Sequence, residues 1–314
     1  MAEPRILICG SIAFDTIMVF NDRFRNHILP DKVHMLNVAF TVLEMRREFG
    51  GCAGNIGYNL KLLGGEPVMM ATIGIDGQPY LDRIGALGLD ATFVRTMPDT
   101  YTAQAFITTD LDDNQITAFH PGAMGQSHKT STAEARDIKL GIIAPDGRDG
   151  MLAHAEQLHT AGIPFVFDPG QAMPLFDRDE LRRFVAYADY LAVNDYECQL
   201  LQERSGLSQA ELAREVKAMI VTKGADGSEI VTGGETLHVP SVWPEKEVDP
   251  TGCGDAYRAG LLYGIAHGWD WLRTGRLASL LGSIKIAQRG GQNHRFDRSS
   301  LAAQFERAFS DKLW

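Results

Sequence analysis

Apolar runs of strand length recur along the chain, separated by stretches in which apolar residues return every three or four positions. RILICGS, PVMMATIG, LGIIAP, IPFVFDPG, YLAVN and AMIVTKG are apolar throughout rather than alternating. A strand with two apolar faces must be covered on both, so the pattern predicts a mostly parallel central sheet between helical layers, an α/β fold of three layers, α/β/α. Ile56, Leu60 and Leu63 fall at helical spacing and Gly64-Gly65 closes that helix, while Ala256, Leu261, Leu262 and Ile265 suit a second helix packed on the sheet. Ligands gather beyond the C-terminal ends of parallel strands. Asp15, Asp168, Asn194 and Thr222 each stand at or just past the end of an apolar run, which predicts one polar edge.

Two segments break this rhythm: residues 16–49, and the pair TAQAFITTD and NQITAFHPGA, joined by Leu111-Asp112-Asp113. The pair reads as a hairpin, and together the segments predict a small β lid, from about 16–49 and 100–123, on a single domain spanning 1–314. Exposed edges of such a sheet pair or are covered, so a homodimer through the lid is an expectation.

Composition narrows the function classes. A chain of 314 residues, 45% hydrophobic, is long enough for one large core. A net charge of −10 and a pI near 5.4 argue against nucleic acid as a partner. Cys9, Cys52, Cys198 and Cys253 are scattered without a CxxC pair, so neither a disulfide framework nor a zinc site is indicated and a reducing cytoplasm is expected. The N-terminal MAEPRILICGS enters a strand with no basic leader, and no stretch reaches membrane-span length, so no membrane partner is expected.

Two strings carry chemistry. DPTGCGDAYRAG, residues 249–260, sets Gly252, Cys253 and Gly254 directly before Asp255 at the start of a helix. Inward-turned N–H groups and the helix dipole make an anion hole there. A carboxylate beside it suggests a general base next to a transferring phosphoryl group, although a glycine-rich turn with an aspartate cap would read the same way. FGGCAGN, residues 49–55, offers backbone close to a hydroxylated ligand at Gly51 and both a donor and an acceptor at Asn55.

With these two strings the chain resembles the ribokinase-like, or PfkB, carbohydrate and nucleoside kinases, over nearly its whole length. The resemblance implies a ribokinase-like fold with a β-sheet lid, and an ATP-dependent phosphotransferase acting on an alcohol. Asp15 and Asn55, with Gly51, would hold sugar hydroxyls, and Asp255 would take the proton while N–H groups of Gly252, Cys253 and Gly254 stabilise the moving charge. NDYE at 194–197 matches the family's N-x-x-E motif: Asn194 would approach the phosphates and Glu197 would steer Mg²⁺ through water, though Asn194 and Glu197 also spell a capping box. VTKGADG at 221–227 matches T-x-G-x-x-G, placing Thr222 and Gly224 on ATP phosphates with Gly227 turning the next hairpin. Some members bind a monovalent cation behind the anion hole, mostly through carbonyl oxygens. Asp249 and Thr251 match those places and RGGQNH, 289–294, is the corresponding loop, which brings in K⁺ as an optional cofactor.

The acceptor expected is a nucleoside, adenosine first, phosphorylated on its 5′-hydroxyl. GSIAFDTIMVF, HILPD and RREFGGCAGN are more similar to the family's bacterial nucleoside and adenosine kinases than to its ribokinases or phosphofructokinases. A base needs an apolar face, and the lid segments supply Met35, Phe40 and Phe119 with His120 alongside, unless these pack the lid itself. Cys52 stands where ribose-specific members carry lysine, and Cys52 and Cys253 read as space-fillers rather than nucleophiles. A sugar kinase acting on ribose, fructose or a sugar phosphate is the alternative, with Arg46 and Arg47 near Gly50 keeping the phosphate open; a non-catalytic ligand-binding relative is a further rival. Neither GxxxxGK[ST] nor a strand-following GxGxxG occurs, which excludes a P-loop kinase and weakens a dehydrogenase.

Overall fold

The computed structural model describes residues 2–28, 37–112 and 114–314. The chain opens with β1 (Arg5–Cys9), β2 (Ala13–Val19) and β3 (Glu44–Gly50), then α1 (Cys52–Leu62), β4 (Glu66–Ile73) and α2 (Gln78–Ala86). Next come β5 (Val94–Thr96), β6 (Ala103–Thr109), β7 (Gln115–His120), β8 (Ile138–Ile143), α3 (Arg148–Thr160), β9 (Phe165–Phe167) and α4 (Arg178–Tyr187). The remainder is β10 (Tyr190–Asn194), α5 (Asp195–Ser205), α6 (Gln209–Glu215), β11 (Ala218–Thr222), β12 (Ser228–Thr232), β13 (Glu235–Val239), α7 (Cys253–Ala266), α8 (Trp271–Ile286) and α9 (Arg298–Phe309).

The six apolar runs become β1, β4, β8, β9, β10 and β11, all within a 9-stranded sheet of order β13-β12-β11-β10-β9-β8-β1-β4-β5. From β11 to β5 neighbours run parallel, and only the β12–β13 hairpin at one edge is antiparallel. Alternate residues of each strand enter two separate cores. Ile6, Ile8, Ala192 and Ile220 pack under α1, α7, α8 and α9, while Leu7, Leu191, Val193 and Met219 pack under α3, α4, α5 and α6. This two-sided burial is why the runs are apolar without alternation. From β1 the chain proceeds to β4 and β5 on one side and later fills β8 to β11 on the other. The order therefore reverses beside β1, and the crevice outside the strands' C-terminal ends opens there.

The second sheet has four strands in the order β3-β2-β6-β7, with β6 and β7 forming the expected hairpin. It begins at Ala13, earlier than the lid segment read from the sequence, so Asp15 lies inside β2 and not on a loop after β1. Side chains in register share a face, and Asp15, Glu48, Ala105 and Phe119 form one such row across the sheet. Phe14 and Phe49, from the opposite face, pack on Tyr80 at ring distances of 5.6 and 5.2 Å. These contacts tie the small sheet to α2.

Candidate active site

Asp255 sits in the first turn of α7, which starts after Gly252 in the left-handed conformation (φ 79°). That conformation costs glycine little and turns the chain tightly between Asp249 and the helix. The turn closes with the Cys253 N–H donating to the Pro250 carbonyl at 3.1 Å. Cys253 is thereby withdrawn from the expected trio of anion donors. Among the described residues the N–H groups of Gly252, Gly254 and Asp255 have no hydrogen-bond acceptor, so these are the donors left to an anion. A Cβ at Gly254 would meet nothing within 4 Å, which marks the open side of the turn.

The carboxyl of Asp255 is half-buried and pushed up to about 6: burial raises it, a hydrogen bond from Asn55 opposes the rise and the Asp168 charge adds to it. Asn55 is almost fully buried in the first turn of α1, and its Nδ2 donates to Asp255 Oδ2 at 2.8 Å. Gln292 Nε2 in turn donates to Asn55 Oδ1 (3.2 Å) and to the Tyr80 hydroxyl (2.7 Å), and that hydroxyl donates to the Gly50 carbonyl (2.7 Å). Gln292 and Tyr80 are thus parts of the site that motif reading missed. Gln292 is revealed by its bond to Asn55, and Tyr80 by its bonds to Gln292 and Gly50.

Asp15 is close by. Its carboxyl is pushed up to about 6, first by burial and then by the charges of Asp249 and Glu48. A Cβ at residue 50 would stand 2.4 Å from Asp15 Oδ2, so Gly50 is the space the carboxylate occupies. Gly51 (φ 86°) caps α1, where a Cβ would meet the Ser11 carbonyl at 2.5 Å. Phe119, in the Asp15 row, is exposed and uncommitted. Phe40 is not available in the same way: it packs on Phe20 and Phe24 at 4.8 and 5.0 Å, as part of a local aromatic cluster. His120 follows Phe119 on a strand and so points to the other face, and Met35 lies outside the described residues. Arg46 pairs with Glu48, and Arg47 pairs with Asp76 while its guanidinium stacks 3.6 Å over Phe14. Arg47 is thereby committed, whereas Arg46 meets Glu48 only through Nε, at 3.5 Å.

On the far side of Asp255 lies a cavity of about 690 Å³ lined by Asn194, Glu197, Thr222, Gly224, Gly227 and Gly254. Asn194 and Thr222 end the adjacent parallel strands β10 and β11, which brings both to the polar edge. The capping box is present: Asn194 Oδ1 accepts from the Glu197 N–H at 2.7 Å and Glu197 Oε2 accepts from the Asn194 N–H at 2.8 Å. Burial, with the Asp168 charge next, raises the Glu197 carboxyl, and Arg258 opposes this. A doubly engaged cap still leaves Glu197 Oε1 for a hydrated cation. Among the described residues no group of three or more His, Cys, Asp or Glu could hold a metal ion. Arg258, one turn after Asp255, forms a bidentate pair with Asp168 (3.1 and 3.2 Å), both side chains being buried at the cavity wall. A lone charge in the apolar YRAGLLYG run was the available signal for it. Burial raises the Cys52 thiol well above its ordinary value and the Cys253 thiol up to about 11, so neither is a thiolate at neutral pH.

Behind the turn, Asp249 accepts from the N–H of Thr251 at Oδ1 (2.9 Å) and from the N–H of Gly290 at Oδ2 (2.8 Å). The resemblance puts an optional K⁺ here, held by carbonyl oxygens of this turn and the following loop. The structure instead sets the Lys285 ammonium on the carbonyls of Asp249 (2.7 Å) and Gln288 (2.9 Å). A second cation close to this buried ammonium would be repelled. The residues present do not fit the extra ion.

Comparison with known proteins agrees with this geometry. Residues 16–297 match the pfkB family of carbohydrate kinases. The nucleoside kinase of Burkholderia thailandensis, solved in complex with inosine, is 55% identical, with a TM-score of 0.91 over 98% of this chain and 99% of that one. Its complex with ADP-inosine superposes with a TM-score of 0.87 at 58% identity, covering 98% and 97% of the two chains. A nucleoside kinase of Methanothermobacter thermautotrophicus is 29% identical over 317 residues, 97% of each chain. With a family match over most of its length, and with the family's two glycine-rich strings meeting at Asn55 and Asp255, the chain belongs to the pfkB family of carbohydrate kinases.

Proposed function

We propose that the protein is an ATP-dependent kinase that transfers the γ-phosphoryl group to the 5′-hydroxyl of a purine nucleoside, with adenosine and inosine the foremost acceptors. The observation that carries this reading is the position of Asp255. It stands between Asn55 and Asp15 on the acceptor side and the cavity with its open Gly254 on the nucleotide side. A carboxyl near 6 is ionised at neutral pH yet basic enough to take the proton of an alcohol as its oxygen attacks phosphorus. The free N–H groups of Gly252, Gly254 and Asp255 bind the equatorial oxygens of the transferring group, and the positive end of α7 adds to them. ATP is held along Asn194, Thr222 and Gly224. Magnesium, when bound, neutralises phosphate charge, with Glu197 reaching it through water.

Asp15 accepts from the sugar hydroxyls, and Phe119 in the same row offers its ring to the base. The small sheet acts as the lid that excludes water. That inosine occupies the related Burkholderia enzyme supports a purine nucleoside, and the engagement of Arg47 by Asp76 and the Phe14 ring speaks against its use on a sugar phosphate. Beyond Phe14 and Phe49, the sheet face opposite Asp15 exposes Met45, Phe106 and Ile116, and β7 is exposed throughout, which supports pairing of two lids in a homodimer. The cysteines are all free, which suits the cytoplasm, and among the described residues no helix is long and apolar enough to cross a membrane.

The test compares kcat/KM for adenosine and inosine with ribose, fructose and fructose 6-phosphate at one ATP–Mg²⁺ concentration. A sugar that wins tenfold, about 1.4 kcal/mol of transition-state discrimination, overturns the nucleoside assignment.

A further inference from the structure

Lys285 stands in the last turn of α8 with its side chain wholly out of solvent. Its ammonium donates to two backbone carbonyls from different loops, Asp249 O at 2.7 Å and Gln288 O at 2.9 Å. The first belongs to the turn that starts the anion hole. The second begins the 288–292 loop, whose Gly290 N–H holds the Asp249 carboxylate and whose Gln292 holds Asn55. Gly291 in that loop abuts Gly252, its Cα 3.2 Å from where a Gly252 Cβ would lie. The same turn is fastened to the helix itself, since the N–H groups of Val248 and Asp249 both donate to the Ile286 carbonyl. One buried cation thus joins the segments that set the donors at Gly252 and Gly254 and the amide that touches the base. A lysine is rarely buried so completely without a paired charge; burial holds its ammonium below the ordinary lysine range, and carbonyl dipoles and the nearby Asp249 carboxylate offset part of that cost.

On the reading of the protein as a kinase, we propose that Lys285 is a resident monovalent cation, a positioning residue that does for the anion hole what an exchangeable K⁺ would do, so that the enzyme works without one. A tethered ammonium supplies the same unit charge that a bare K⁺ would bring to this turn. The tether removes any dependence on the ion's concentration.

The experiment measures initial rates and thermal midpoints of the full chain in KCl, NaCl and tetramethylammonium chloride at equal ionic strength. Wild-type rates are expected to agree within about twofold across the three salts and the midpoints to coincide, because no free site is left to fill. Lys285→Ala empties the position. Its rate in tetramethylammonium chloride should fall at least about tenfold, and K⁺ should restore part of the rate and raise the midpoint more than Na⁺ does. Lys285→Met, with similar length and no charge, should be slow in every salt. A wild type accelerated more than about fivefold by K⁺, a Lys285→Met with the wild-type rate, or a folded Lys285→Ala that no cation improves would each overturn the proposal. Should neither variant fold, the wild-type salt comparison decides. A wild type inert on every nucleoside in every salt would count against the kinase reading, while the midpoints of Lys285→Ala would still report whether a cation takes the vacated place.

Discussion

Asn55 Nδ2 donates to Asp255 Oδ2 at 2.8 Å, joining the first turn of α1 to the first turn of α7 across 200 residues of sequence. The bond occupies one carboxylate oxygen, and the Cys52 thiol is a further hydrogen-bonding neighbour of the same carboxyl. The Asn55 bond also fixes the carboxylate's orientation, because Asn55 is itself held from behind by Gln292. The two glycine-rich strings therefore meet in one constellation, and on the proposed reading one serves the acceptor and the other the moving phosphoryl group.

Asp255→Asn keeps the shape and removes the base. Its kcat is expected to fall by roughly a hundredfold to ten-thousandfold, with the KM for ATP nearly unchanged. A carboxyl raised from 3.8 to about 6 by burial binds more protons in the folded than in the unfolded chain between those values, so its contribution to stability falls as pH rises through that window. The variant should accordingly melt higher than wild type at pH 7.5, and the difference should shrink towards pH 4. An unchanged kcat would reduce Asp255 to a helix cap.

The pH profile of kcat/KM should rise to a plateau with an inflection near 6, since only the ionised Asp255 accepts the proton. The Asn55 hydrogen bond favours the ionised form, so Asn55→Ala should move that inflection to higher pH. An inflection that stays in place or moves to lower pH would mean that the bond does not act on the base.

Asp15→Ala should raise the KM for the nucleoside strongly and leave the KM for ATP almost unmoved, because buried hydroxyls lose a charged acceptor. Gly50→Ala should mimic it: the added Cβ would lie 2.4 Å from Asp15 Oδ2 and push the carboxylate aside. Equal damage to both substrates in both variants would make Asp15 structural.

Arg258→Ala leaves the Asp168 carboxylate buried without its bidentate partner. Removing one member of a buried pair typically costs about 3–5 kcal/mol, so a large fall in the denaturation midpoint is expected. Asp168→Asn with Arg258→Met, which removes both charges, should recover much of that loss in a double-mutant cycle. Recovery that fails would mean that the pair is held by something other than mutual compensation.

The local strings of this chain already contained its strands and its glycine-closed helices, because each depends on residue type at short spacing, and set Asn55 and Asp255 beside glycine-rich turns, while Asp15, Asn194 and Glu197 became site candidates through the resemblance of their strings to the family's. Period and turn chemistry act within a few residues, so strand runs and helix ends could be read directly. Tertiary structure decided everything that joins distant segments. It placed Asp15 inside β2, committed Phe40 to an aromatic cluster and turned His120 away from Phe119, since face and register depend on which strands pair. It closed the Cys253 N–H onto Pro250 and left Gly252, Gly254 and Asp255 as the open donors. It also brought Gln292 and Tyr80 behind Asn55, Arg258 onto Asp168 and the Lys285 ammonium behind the anion hole. A lone lysine or arginine in an apolar helix shows in a sequence only that a charge is buried. Which oxygens compensate it depends on the packing of segments far apart in the chain, and desolvation leaves a buried charge stable only where that packing supplies them.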